Sequence, residues 1–353
     1  MFVDKNFWSG KKVFITGHTG FKGAWLSFIL STFGADVIGY ALESPTTISI
    51  FNLLKMTKMM HSIRGDVRNF MVLRKMIAQY QPEIVFHLAA QPLVLEGYNN
   101  PPLTYETNVM GTVNLLESIR RVDSVRSFVN VTTDKVYYNH EWEYGYRETD
   151  LLDGIDPYSN SKSCSELVTN CYVRSFFYDR QIAVSTARAG NVIGGGDFAE
   201  HRIIPDCVRA ALKHEKIEVR NPHSIRPYQH VFEPLFAYMM IAQAQYDDPM
   251  YSGNYNVGPD ADDCVTTENL VSMFCGLWGE GLEWTTKEVE QPHEANCLRL
   301  DCSKLKATFG WEPRWSVREA LEKTIEWTKI YREKGRLADS MAAQVEEYMN
   351  EVI

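Results

Sequence analysis

Six short runs rich in β-branched and other apolar residues recur through the first 190 residues, each separated from the next by enough chain for a helix. That alternation constrains the chain to a parallel sheet covered on both faces. The runs are Lys12–Thr16, Asp36–Tyr40, Ile63–Asp66, Ile84–Leu88, Ser127–Thr132 and Ala183–Arg188, with helices expected over Gly23–Phe33, Asn69–Tyr80, Pro102–Arg121 and Ser159–Asp179. Ile84-Val85-Phe86-His87-Leu88 lacks any apolar/polar alternation, as a central strand buried on both faces should.

After Asn191 the chain turns to Gly- and Pro-rich loops, short strands and a late helix over Ser316–Arg332. The expected architecture is therefore α/β: a Rossmann-like, doubly wound parallel sheet over residues 1–190, with a smaller C-terminal α/β substrate domain formed by 191–226 and 259–353. Residues 227–258 are expected to return to the first domain. A chain of 353 residues is long enough for both. The formal charge of −9 and the lack of a Lys/Arg run exclude a nucleic-acid surface, so an anionic substrate would need a few local cations. Seven cysteines without a CxxC pair fit a reduced, cytoplasmic protein with no metal site. The first residues carry no signal-peptide core and no apolar run is long enough to span a bilayer, so no membrane association is expected.

Gly17-His18-Thr19-Gly20-Phe21-Lys22-Gly23 follows a strand run and opens a helix. Glycines there let the backbone turn and approach a pyrophosphate, and the unpaired N–H groups of the helix start face the anion. A tight turn with no ligand is the alternative reading. Asp66-Val67 at a strand end could contact an adenine, and Leu88-Ala89-Ala90-Gln91 could let a dinucleotide cross the sheet edge. The second strand ends Val37-Ile38-Gly39-Tyr40-Ala41, with no acid placed to hold a ribose, which leaves NAD against NADP open at this point. His18 and Lys22 would contact pyrophosphate or ribose, or else face solvent.

A second constellation carries the chemistry. Thr133-Asp134-Lys135 ends an apolar strand, and Tyr158 and Lys162 lie four residues apart on one helix face. A tyrosine serves as a base near neutral pH only if nearby positive charge lowers its pKa from about 10. Lys162 supplies such a charge, and Thr133 could orient the same substrate hydroxyl. Asp134 and Lys135 remain as an acid and a base, which suggests redox chemistry coupled to elimination. The bland alternatives are a strand-end turn cap for Asp134 and a chance surface pair for Tyr158 and Lys162.

Gly17-x-x-Gly20-x-x-Gly23 with Tyr158-x-x-x-Lys162 resembles the extended short-chain dehydrogenases/reductases, from Trp8 to Phe309-Gly310-Trp311-x-Pro313. Thr133-Asp134-Lys135 stands where nucleotide-sugar 4,6-dehydratases of that superfamily carry Thr-Asp followed by an acid or Lys. The Lys form resembles the CDP-glucose branch, together with His87-Leu88-Ala89-Ala90-Gln91-Pro92-Leu93-Val94, Gly190-Asn191-Val192-Ile193-Gly194-Gly195-Gly196-Asp197 and Ser224-Ile225-Arg226-Pro227-x-Gln229-His230-Val231. The resemblance implies NAD as cofactor, a CDP-hexose as substrate, a role in deoxysugar biosynthesis and a homodimer or homotetramer. In the implied reaction Tyr158 takes the C4-hydroxyl proton, Lys135 removes the C5 proton and Asp134 protonates the departing C6 hydroxyl. It also implies cofactor contacts from Phe21, Asn108 and Arg188, and substrate contacts from Asn191, Arg202, Arg226, Tyr228 and His293. Leu95-Glu96-Gly97 departs from the Arg and Ser usual beside the sugar, which leaves the sugar in doubt. Leu115-Leu116 and Leu167-Val168 would form either a dimer face or internal core. A 4-epimerase would not need Asp134 and Lys135; a cofactor-sensing module without chemistry would not need Tyr158 and Lys162.

Overall fold

Runs of Val, Ile and Phe without polar alternation have both faces to bury, and the middle strands lie at the centre of the sheet. The computed structural model describes residues 1–287 and 298–350. Its strands are β1 (Lys12–Thr16), β2 (Asp36–Ala41), β3 (His61–Arg64), β4 (Ile84–His87), β5 (Ser127–Thr133), β6 (Ala183–Ala189), β7 (Asn191–Ile193), β8 (Ile217–Val219), β9 (Ile225–His230), β10 (Asn254–Val257), β11 (Cys264–Thr266) and β12 (Trp284–Thr286). Seven of them form one sheet in the order β10-β6-β5-β4-β1-β2-β3, every neighbouring pair parallel. All residues of β4, β5 and β6 are buried. The β3 strand lies two residues earlier than expected: Gly65 N still reaches Ala41 O at 2.8 Å, and Asp66 falls in the turn beyond.

The strand order reverses at β1, whose neighbours are β2 and β4. In open sheets of this kind the crevice beyond the strand ends at the reversal is where ligands bind. The glycine loop leaves β1 there, Leu88–Gln91 leaves β4, and Thr133 ends β5.

The helix expected over Pro102–Arg121 carries a π turn at Glu106–Met110 between α-helical Pro101–Tyr105 and Gly111–Ile119. The helix bearing Tyr158 starts at Pro157, after Asp156 accepts from Ser159 N at 3.0 Å, and runs as α-helix to Tyr172 before a second π turn, Val173–Phe177. A Pro at the first position and an Asp cap are what start the helix here rather than at the expected Ser159, two residues later.

The smaller lobe holds the three-stranded sheet β11-β9-β7 and the pair β12-β8. Its own core includes Ile204, Val208, Leu270, Phe274 and Leu321. The chain rejoins the first core later than residue 227, because β9 pairs with β7 and β11 through His230. Phe232–Asp247 then forms a helix whose residues, with β10, join the large-sheet core. The last helix, Leu337–Asn350, also returns to that core through Met341, Val345 and Tyr348, so residues 259–353 serve both lobes. Leu115 and Leu116 are fully buried internal core, whereas Leu167 is 53 % exposed. Among the described residues no helix is long and apolar enough to cross a membrane, and no cluster of His, Cys, Asp and Glu could hold a metal ion.

Candidate active site

The loop after β1 is built for close approach. Gly17 has φ +79°, and a β-carbon on it would lie 2.7 Å from Ala89 N; one on Gly23 would lie 2.1 Å from Gly17 O. A β-carbon on Gly20 would meet only Gly17 O, at 3.5 Å. Two glycines thus hold the loop against the strand ends, while Gly20 leaves open space at the start of the helix Phe21–Thr32, which has no side-chain cap. That bare helix start fits a pyrophosphate. Thr16 Oγ1 accepts from Leu88 N and Ala89 N, both at 3.2 Å, and so binds the β4 exit to the loop. Ala90 lies between these contacts and Gln91.

Several expected cofactor contacts have other tasks. His18 is fully buried rather than facing solvent or pyrophosphate. Its Nε2 lies 2.8 Å from Ser62 Oγ, its ring meets Phe51 edge-on, and burial pushes its pKa down to about 4. A β-carbon on Gly39 would lie 2.3 Å from that ring, so the glycine that stands near the end of β2 makes room for His18. Asn108, turned inward by the π turn, donates to Gln91 O at 3.0 Å and Ser161 Oγ at 2.9 Å and accepts from Gln91 N at 2.8 Å. It clamps the loop to the Tyr158 helix with its whole amide. Arg188 is 0 % exposed and paired through two nitrogens with Glu166, both at 3.0 Å, with its third nitrogen on Tyr137 and Glu148 O. It is a structural ion pair under the sheet end. The Asp66 carboxylate is held by Arg68 at 2.6 Å, and Val67 is buried with its carbonyl taken by Asn114. Phe21 flanks the loop and comes close to Gly194 of the smaller lobe.

The candidate catalytic residues lie together. Thr133 Oγ1 donates to Asp134 Oδ1 at 2.9 Å and is hydrogen-bonded to the Tyr158 phenol. Burial pushes the Asp134 carboxyl up, with Lys135, the Thr133 hydroxyl, Arg226 and Lys22 pulling the other way. Burial pushes the Tyr158 phenol up to about 12, opposed by the Thr133 hydrogen bond and reinforced by Asp134. This is opposite to the expected lowering by Lys162: burial outweighs the groups that lower the phenol, and the Lys162 ammonium donates to Val131 O at 2.9 Å. Burial lowers Lys162 to about 8, with Glu166 opposing. Lys22 is lowered to about 8 by burial and then by Arg202, with Lys162 adding and Asp134 opposing. Lys22, Lys135 and Arg226 thus act on one carboxylate, with Arg202 and Lys162 felt at Lys22, in a chain whose net charge is −9.

In the smaller lobe, Arg202 precedes the helix Ile203–Lys213 and reaches Asp197 at 3.3 Å. Arg226 is buried with Nη1 on Ile225 O at 3.1 Å and its charge felt at Asp134. Asn191 opens β7 opposite Tyr228 of β9. The Tyr228 ring belongs to the lobe's core with Ile193, Ile204 and Val208, which makes it a buried wall rather than an exposed stacking platform. His293 lies outside the described residues. Leu95-Glu96-Gly97 sits in the helix Val94–Asn99, and a β-carbon on Gly97 would come within 3.0 Å of Tyr158 N, so this segment does flank the catalytic tyrosine. Gly190 entered the sequence analysis only as the head of the Gly190–Asp197 motif, with no role given; a β-carbon on it would lie 2.9 Å from Asp134 Oδ2, and its place just after a strand rich in small residues was the available signal.

A model of the GDP-mannose 4,6-dehydratase family matches residues 14–324. The chain belongs to that family. One member, the CDP-glucose 4,6-dehydratase of Salmonella typhimurium, is 46 % identical over 99 % of this chain and 99 % of its own. The dTDP-glucose 4,6-dehydratase of Xanthomonas campestris is 26 % identical, covering 89 % of this chain and 92 % of its own. Among solved structures, the NAD complex of Bacillus anthracis dTDP-glucose 4,6-dehydratase superposes with a TM-score of 0.76 at 22 % identity over 93 % of this chain and 100 % of its own. The UDP-glucose 4-epimerase of Thermotoga maritima superposes at 0.79, with 22 % identity over 90 % of this chain and 99 % of its own. The fold of this GDP-mannose 4,6-dehydratase family member is thus shared by dehydratases and epimerases.

Proposed function

We propose that this chain is a lyase that converts CDP-glucose to CDP-4-keto-6-deoxyglucose and water, with NAD as its resident redox cofactor. The observation that carries the reading is the buried Thr133-Asp134-Lys135 turn beside Tyr158, since an epimerase has no use for a second acid and base. The cytidine and the glucose come from the Salmonella relative's activity.

The residues divide the work as follows. Gly17, Gly20 and Gly23 leave the space and the bare helix start that hold a pyrophosphate. When bound, NAD takes hydride from C4 and returns it to C6, so no outside reductant is consumed. Tyr158 accepts the C4-hydroxyl proton, with Thr133 holding that oxygen in line. The protein groups alone leave Tyr158 well above neutrality, so the positive charge of the oxidised nicotinamide is needed beside it. The C4 ketone acidifies the neighbouring carbon, Lys135 removes the C5 proton, and Asp134 gives its proton to the C6 oxygen, which departs as water. Burial shifts the Asp134 carboxyl upward, the direction a proton donor needs. Arg202 and Arg226 supply charge for the diphosphate. The described cysteines are all free thiols, which supports a reducing cytoplasm. Exposed Met110, Leu167 and Phe176 on adjoining helices support a homo-oligomer.

Lys135→Met tests the assignment. Reduced nicotinamide should still form from CDP-glucose while the 4-keto-6-deoxy product does not; normal turnover would remove Lys135 from the mechanism. Assay of CDP-, dTDP-, GDP- and UDP-glucose tests the nucleotide. Activity with dTDP-glucose and none with CDP-glucose would overturn the cytidine reading.

A further inference from the structure

The oxidation and elimination groups are held differently. Thr133 is the last residue of the β5–β6 ladder, paired with Ala189. Asp134 and Lys135 lie just beyond it, in a single 3₁₀ turn ending at Val136. Within that turn Lys135 N reaches Thr133 Oγ1 only at 3.4 Å.

A buried polar network grips the chain on both sides of this turn. On the entry side Thr132 Oγ1 donates to Glu166 Oε1 at 2.5 Å. Glu166 also accepts from Thr186 Oγ1 at 2.7 Å and from Arg188 through two nitrogens. On the exit side the Tyr137 hydroxyl accepts from Arg188 Nη1 at 2.7 Å and donates to Asn256 Oδ1 at 2.7 Å. Asn256 is itself fixed by its amide on Tyr146 O and Asp301 O. Glu166, Arg188 and Asn256 are 0 % exposed. A buried ion pair with this many hydrogen bonds adds little net stability over apolar packing of the same volume, whereas it does fix directions. The direction fixed here is where the chain leaves the catalytic turn.

We propose that Tyr137 is a positioning residue for the elimination step, its hydroxyl setting the place of Asp134 and Lys135 by tying the turn's exit to the Arg188–Glu166 pair and to Asn256. The inference rests on the dehydratase reading. Oxidation at C4 uses Thr133 and Tyr158, which the sheet ladder and the helix hold without Tyr137. Removing one hydroxyl should therefore slow one half of the reaction and spare the other.

Tyr137→Phe keeps the ring that stacks on Tyr146 at 5.2 Å and loses only the hydroxyl. In single turnovers of NAD-loaded enzyme with CDP-glucose, formation of reduced nicotinamide should proceed at nearly the wild-type rate. Product formation should fall roughly ten- to a hundredfold, the size of effect that a misplaced catalytic group causes. Tyr146→Phe, which keeps the other ring of the stack and loses a hydroxyl that accepts from His140 N at 2.6 Å and donates to Asn139 Oδ1 at 2.8 Å, should lower the melting temperature without splitting the two rates. Equal slowing of both steps in Tyr137→Phe, or no slowing, would overturn the proposal. If Tyr137→Phe does not fold, Asn256→Ser removes the acceptor of the same hydroxyl and is read in the same way. Wild-type enzyme that ignores CDP-glucose but acts on another nucleotide sugar would displace only the cytidine reading, and the comparison would be made with that sugar. Wild-type enzyme inert towards all of them would bring down the dehydratase reading and this inference together.

Discussion

Gly190 lies so close to Asp134 that a β-carbon on it would come within 2.9 Å of the Asp134 Oδ2 atom. The glycine at the exit of β6 is the space in which the catalytic carboxyl sits. Gly190→Ala would meet a movable carboxylate rather than rigid backbone, so the fold should survive and the acid should shift. We expect kcat to fall about tenfold or more, since small misplacements of a reacting group are costly. KM should change little. Steady-state kinetics with thermal melts check this; an unchanged kcat would mean that the carboxyl has room elsewhere.

The glycines of the loop after β1 should separate by role. A β-carbon on Gly23 would collide with Gly17 O at 2.1 Å, so Gly23→Ala should lower the melting temperature. Gly20 has open space beyond it, so Gly20→Ala should fold normally and bind NAD about tenfold or more weakly, the methyl group standing where the pyrophosphate approaches. Calorimetric titration with NAD and a melt of each variant suffice. Full NAD affinity in Gly20→Ala would place the pyrophosphate elsewhere.

Glu233, at the start of the helix Phe232–Asp247, is fully buried, and burial pushes its carboxyl up to about 7 against the N–H groups of Trp315 and Arg314 and the Tyr348 hydroxyl. The folded state therefore binds a proton more tightly than the unfolded chain. The stabilisation is fully present below pH 4.5, the ordinary value of this group, and is lost as pH rises through about 7. The change amounts to roughly 3 kcal/mol at most. Denaturant titrations across that window should show wild-type stability falling relative to Glu233→Gln. Parallel curves for the two proteins would show that Glu233 titrates normally.

Much of the site was legible because its chemistry is local in the chain. Thr133, Asp134 and Lys135 are consecutive, and Tyr158 and Lys162 share a helix face by spacing alone. The loop from Gly17 to Gly23 announced itself by lying between a strand and a helix. The misread residues share a different trait. His18, Asn108 and Arg188 lie beside or within the right segments, yet each side chain is claimed by distant partners: Phe51 and Ser62, Gln91 and Ser161, Glu166 and Tyr137. Nothing near His18 in sequence shows that Gly39 leaves a hollow for its ring. Likewise the lowering expected of Tyr158 is overturned by the depth at which the fold buries the phenol.

The sequence by itself determined the parallel sheet, the cradle for a dinucleotide and the candidates for acid and base, because periodicity and short spacings act over one strand or one helical turn. Only the tertiary structure decided which of the charged groups meet at the end of β5 and which are paired off as buttresses. Burial and long-range hydrogen bonds, rather than residue type, push the Asp134 carboxyl up and pair Arg188 with Glu166.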